Sequence, residues 1–120
     1  MAARKYIPDL RIGDSYIIKI RYKNGMNITG YRIDFTAKSA FSDRRSALHA
    51  FTIAGNDSED DPLNGICILK ISSATTKLLK AGTYVYDVRA TSPTLETITL
   101  LPPSSDYESN IEFIPQVTVF

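Results

Sequence analysis

The chain has no tryptophan, one cysteine and one histidine. A single thiol, Cys67, excludes an intrachain disulfide and fits a reducing compartment. With one imidazole, His49, a zinc site fails on ligand count unless subunits share ligands. The six glycines are scattered singly among turns, so no phosphate-cradling loop is present. No stretch approaches the roughly 20 apolar residues of a membrane helix. Met1 to Tyr6 has no apolar run behind its charges, so neither membrane insertion nor a signal peptide is expected. A surplus of one charge sign is missing too: 14 basic and 13 acidic residues leave a net charge of +1. Phosphate backbones are bound by clustered Lys and Arg, so nucleic acid is not an expected partner.

What is present is alternation. Ala81-Gly82 launches a run in which Tyr84, Tyr86 and Val88 alternate with Val85, Asp87 and Arg89. A period of two puts one set on a core and the other toward solvent. Ser15–Tyr22 repeats the pattern, with Tyr16, Ile18, Ile20 and Tyr22 inward. Tyr31–Lys38 does so most cleanly, with Tyr31, Ile33, Phe35 and Ala37 inward and Arg32, Asp34, Thr36 and Lys38 outward. Further strands are read at Ala47–Ile53, Ile66–Ile71, Leu95–Leu101 and Ile111–Phe120. The last is interrupted at Pro115, which implies an edge or a bulge. Ile66–Ile71 is apolar on both faces and reads as central to a sheet.

Turn residues divide these runs. Gly13-Asp14 closes a turn from Asp9, Lys23-Asn24-Gly25 is of hairpin type, and Thr91-Ser92-Pro93 is a third turn. Asn27-Ile28-Thr29 matches a glycosylation sequon and is read as a chance match in a turn. Ser72 and Ser73 are N-cap residues for one or two helical turns ending by Gly82, where Leu78 and Leu79 could cover one end of the core. Seven to eight short strands at this spacing predict an antiparallel β-sandwich, immunoglobulin-like in layout, with one short helical turn. A length of 120 residues predicts one domain, with residues 1–8 as an N-terminal arm.

Few residues suit chemistry. Cys67 sits between Ile66 and Ile68, a setting for a packed thiol rather than a nucleophile activated by His49. Asp57, Glu59, Asp60 and Asp61 gather four carboxylates in a connection running from Ala54 to Gly65. Calcium favours oxygen-rich loops, but the spacing is not that of an EF-hand, and a solvated loop is the expectation. Asp34 and Asp87 lie on outward faces of different strands, with no cleft in prospect for paired-acid catalysis. Arg44 and Arg45, with Lys38 nearby, form a small basic patch. Tyr6, Tyr31 and Tyr107 fall at or near segment ends, where a buried ring with a wet hydroxyl is common, and Tyr6, Tyr22 and Tyr107 are the ones left for a sugar or subunit contact. No cofactor is expected, and no enzyme.

Three segments, in order, resemble a known family. They are Gly13-Asp14-Ser15-Tyr16; Lys23-Asn24-Gly25 through Ile28-Thr29-Gly30-Tyr31-Arg32-Ile33-Asp34-Phe35; and Ser73 through Leu78-Leu79-Lys80-Ala81-Gly82-Thr83-Tyr84-Val85-Tyr86-Asp87-Val88. The order is similar to the immunoglobulin-like β-sandwich domains of bacteriophage tail and baseplate proteins, including the N-terminal domain of upper baseplate proteins. Phe113-Ile114-Pro115-Gln116-Val117-Thr118 looks like that family's closing strand. Ile28, where Leu is usual, and the acidic Ala54–Gly65 connection depart from the pattern. The resemblance implies a structural protein of a phage or prophage virion tail, made in the bacterial host cytoplasm, that self-associates or docks on other tail or baseplate proteins. The alternative on the same fold is a carbohydrate- or receptor-binding module, with a glycan or host receptor as partner.

Overall fold

The computed structural model describes residues 9–22, 26–40, 42–101 and 110–115. Eight strands lie within them: β1 (Leu10–Arg11), β2 (Tyr16–Arg21), β3 (Arg32–Lys38), β4 (Leu48–Ile53), β5 (Ile66–Ile71), β6 (Gly82–Thr91), β7 (Thr97–Leu101) and β8 (Asn110–Ile114). One helical turn, α1 (Ser73–Thr76), and a 3₁₀ turn at Pro62–Asn64 accompany them. The fold is all-β. A large sheet has the order β1-β8-β6-β3-β4, with β7 also paired to β6; a small sheet pairs β2 with β5.

Alternation sets the inward faces. Ile33, Phe35 and Ala37 of β3, Tyr86, Val88 and Ala90 of β6, and Ile111 and Phe113 of β8 are buried. Ile18 and Ile20 of β2 meet them with Cys67, Leu69 and Ile71 of β5, so both sheets share one core. Each buried Ile, Leu or Phe side chain contributes about 1.5–3 kcal/mol relative to exposure. Tyr84 stacks on Phe113 with ring centroids 4.2 Å apart, and its hydroxyl donates to the Lys80 carbonyl. The ring is half-buried while its polar tip stays satisfied.

β6 is the hub of the large sheet. Its residues Val85–Thr91 pair with β3 along one edge. The other edge is divided: Gly82–Val85 pair with β8, and Val88–Thr91 pair with β7.

Several expectations are corrected. Asp9–Asp14 is not only a turn, because Leu10 and Arg11 form β1, which runs parallel to β8. The sheet is therefore mixed and not strictly antiparallel. β2 and β3 do not form a hairpin; they belong to different sheets, and Lys23–Gly25 lies outside the described residues. β5 does not take a central place among the described residues, where its ladder is with β2 alone. β8 lies between β1 and β6 and ends before Pro115, so this proline marks a strand end and not a sheet edge; residues 116–120 lie outside the described residues. β7 starts at Thr97 because Leu95 takes a left-handed φ of 69°, which no strand residue can hold.

The helical turn is capped as expected, with the Ser72 hydroxyl accepting from the Thr75 N–H, but it ends at Thr76 and not near Gly82. Leu79 packs against the core, while Leu78 is 85% exposed. The Thr76 side chain, fully buried, donates to the Asp14 carbonyl at 2.7 Å and accepts from the Gly13 N–H at 3.1 Å. One hydroxyl thus ties the β1–β2 turn to α1.

Candidate functional site: the outer face of β6, β3 and β4

Residues directly opposite across a ladder project to the same face. The registers therefore define rows on the outer face of the large sheet. Arg89 of β6, Asp34 of β3 and Phe51 of β4 make one row. Asp87, Thr36 and His49 make the next, and Thr91, Arg32 and Ile53 the one on the other side.

Phe51 is the centre of the cluster and is 56% exposed. The Arg32 guanidinium lies over its ring at 4.2 Å from the centroid. The His49 ring stacks beside it at 6.3 Å. Asp34 joins the two flanking groups: Arg32 Nε donates to its Oδ2 at 3.1 Å, and His49 Nε2 lies 2.8 Å from its Oδ1. A large exposed apolar ring is thus held by planar polar neighbours. Arg and aromatic side chains fixed in this way are the usual anchors of protein contacts, because little side-chain freedom remains to be lost on binding.

Asp87 differs from Asp34. It is half-buried, and among the described residues no hydrogen bond reaches its carboxylate. Burial raises its pKa above the ordinary carboxylate value, while the charges of Arg89 and Lys38 pull the other way. The two acids, on neighbouring strands, occupy diagonal positions of one face.

The remaining sequence candidates are elsewhere. Cys67 is fully buried, and burial, with Asp60 nearby, pushes its thiol up to about 12. His49 is on the outer face, so the two do not form a nucleophilic pair. In the acidic connection, Asp60 takes three backbone N–H groups: Ile68 on Oδ1 at 2.7 Å, and Gly55 and Asp57 on Oδ2 at 2.9 and 3.2 Å. Asp57 accepts from the Glu59 N–H and pairs with Lys70 at 2.9 Å; that N–H first, and Lys70 second, hold its carboxyl below the usual range. Asp61 accepts from the Asn64 amide, and Glu59 is exposed. These carboxylates organise their own loop. Among the described residues no three His, Cys, Asp or Glu side chains are grouped to hold a metal ion.

Arg44 and Arg45 are exposed in the β3–β4 connection, which Asp43 shapes by accepting from the Arg45 N–H and the Ser39 hydroxyl. Tyr22 is half-buried against the core. Tyr6 and Tyr107 lie outside the described residues. Asn27 accepts from the N–H and hydroxyl of Thr29, the turn expected at the sequon. No described helix is long and apolar enough to cross a membrane.

The Arg32–Asp34–His49–Phe51 cluster was not singled out from sequence. Its signal is partial: alternation puts Arg32 and Asp34 on outward positions of β3, but apolar Phe51 and Ile53 share the His49 side of β4, so no alternation marks that side as outward. The missing quantity was the β3–β4 register, which sets Asp34 opposite Phe51.

No protein-family model matches the chain, and no curated protein matches it. Among solved structures, the chain is similar to a protein described as a putative glycoside hydrolase from Bacteroides vulgatus, with a TM-score of 0.46 and 10% identity. The match covers 92% of this chain and 17% of that one, so this chain spans under a fifth of that protein. A likeness this loose carries no argument about activity.

Proposed function

We propose that this chain is a structural or assembly protein of a bacteriophage or prophage tail or baseplate, acting through protein–protein contacts. The observation that carries the contact part of this reading is Phe51, exposed on a sheet face and held between Arg32 and His49. The motif order in the sequence supports the family part. The finer fold belongs to the same proposal. In immunoglobulin terms β8-β6-β3-β4 reads as strands G-F-C-C′ and β2-β5 as B-E. One domain spanning the chain follows from that layout. Mass spectrometry of purified phage or phage-like particles from the encoding strain tests the reading. The chain is expected in fixed proportion to other tail proteins; its absence from such particles overturns the proposal.

A second reading has one observation in its favour. The same face offers hydrogen-bonding Asp34, Arg32 and His49 beside an exposed ring, the chemistry of a carbohydrate platform. It ranks second because Arg32 already lies over the Phe51 ring, where a sugar would stack. A glycan array without a hit removes it.

A further inference from the structure

The outer face of β6, β3 and β4 carries both charge signs in a particular order. Along β6, Arg89 is followed by Asp87 at the next outward position; along β4, Phe51 is followed by His49. A two-fold axis across the strands, midway between these rows, reverses the order in a second copy. Arg89 then meets Asp87 of the second copy, and Asp87 meets its Arg89. Phe51 meets His49 of the second copy and the reverse, while Thr91 meets Val85. Asp34, already neutralised within its own chain by Arg32, meets the hydroxyl of Thr36. Arg32, paired with Asp34 of its own chain, and Lys38 of the second copy come opposite each other at the rim, where long side chains reach water. Along β6 the face is complementary to itself, as a contact between identical copies requires.

We infer that this face is a two-fold interface with a second copy of this chain, the two sheets stacking with antiparallel strands so that Arg89 of each copy pairs with Asp87 of the other. The inference rests on the proposed assembly role and names its partner. Two observations favour a second copy over an unlike protein. The half-buried Asp87 has no hydrogen bond within the described chain, and Arg89 of the second copy would supply its partner. The charge order along β6 matches its own reverse.

The test uses the purified full chain in sedimentation velocity at micromolar to about 100 µM concentrations, the range of a modest interface. Wild type is expected to dimerise. Arg89→Asp and Asp87→Arg each set like charges face to face, and each is expected to weaken the dimer at least about tenfold. An equimolar mixture of the two variants restores opposite charges across the interface and is expected to return a heterodimer. Phe51→Ser, at an exposed position, is expected to abolish the dimer while the circular dichroism spectrum stays that of wild type. A monomeric wild type, single variants that still dimerise, or folded variants whose mixture stays monomeric overturns the inference. Particle composition is read separately: a monomer found in tail particles sinks this interface alone, and a dimer absent from particles sinks the virion reading alone.

Discussion

The carboxylate of Asp60 accepts the backbone N–H of Ile68 at 2.7 Å, on a strand whose only ladder among the described residues is with β2. A side chain here does part of the work of a neighbouring strand. Its second oxygen holds Gly55 and Asp57, so the whole connection after β4 is drawn against β5. Ile68 itself is buried, although it lies outside the core cluster.

Asp60→Ala strands three N–H groups at once. Hydrogen bonds to a charged group are worth about 1.5–3 kcal/mol each, with incomplete additivity, so a loss of about 3 kcal/mol in urea unfolding is expected. Asp61→Ala, which removes one exposed contact, is expected to cost below about 1 kcal/mol. Equal losses for the two variants would contradict the anchoring role.

Thr76→Val keeps the shape and removes the hydroxyl. The Gly13 N–H loses its acceptor and the Asp14 carbonyl its donor. An unsatisfied buried group costs about 1–3 kcal/mol, and a thermal melt is expected to show that loss. Unchanged stability would mean that water replaces the hydroxyl.

The Cys67 thiol, raised from 9.0 to about 12, stays protonated in the folded chain at pH values where the unfolded chain ionises. Between pH 9 and 12 the unfolded state therefore binds fewer protons, and stability falls as pH rises. Cys67→Ala is expected to flatten the start of this decline. Tyr16, also raised by burial, adds its own part above pH 10. A thiol reagent at pH 8 is expected to label Cys67 only after unfolding; rapid labelling of the native chain would refute the packed reading.

Calcium at millimolar concentration is expected to leave the melting temperature unchanged within about 1 °C, since a ligand stabilises only by binding the folded state. Asp57, Asp60 and Asp61 already spend their oxygens on Lys70, backbone N–H groups and Asn64. A concentration-dependent rise would show that the loop rearranges around the ion.

What could be read from sequence was what local periodicity carries. The inward sets of β2, β3 and β6 follow from alternation alone, and the Ser72 cap follows from residue type. Pairing does not. Lys23-Asn24-Gly25 announces a turn, yet nothing local says that β2 turns toward β5 and leaves β3 to the other sheet. The apolar run of β5 suggests two flanking strands, yet among the described residues β2 alone pairs with it. β1 was missed because two residues, Leu10 and Arg11, hold no period. The site is half legible: Arg32 and Asp34 fall on outward positions of β3, whereas no alternation in β4 places His49 and Phe51, and the long-range register brings the four together.

The parallel ladder between β1 and β8 has a mechanical consequence. Leu10 and Arg11 lie beside Phe113 and Ile114, and the clasp continues through Ile12 N–H to the Ile114 carbonyl, Glu112 N–H to Asp9 and Arg11 to the Pro115 carbonyl. Tension applied to the flanking sequence at both sides pulls these strands along their own axes in opposite directions. The bonds are then loaded together, in shear, instead of opening one after another. A domain set between two anchored neighbours would carry force first through this short clasp, which Leu10 and Phe113 root in the core.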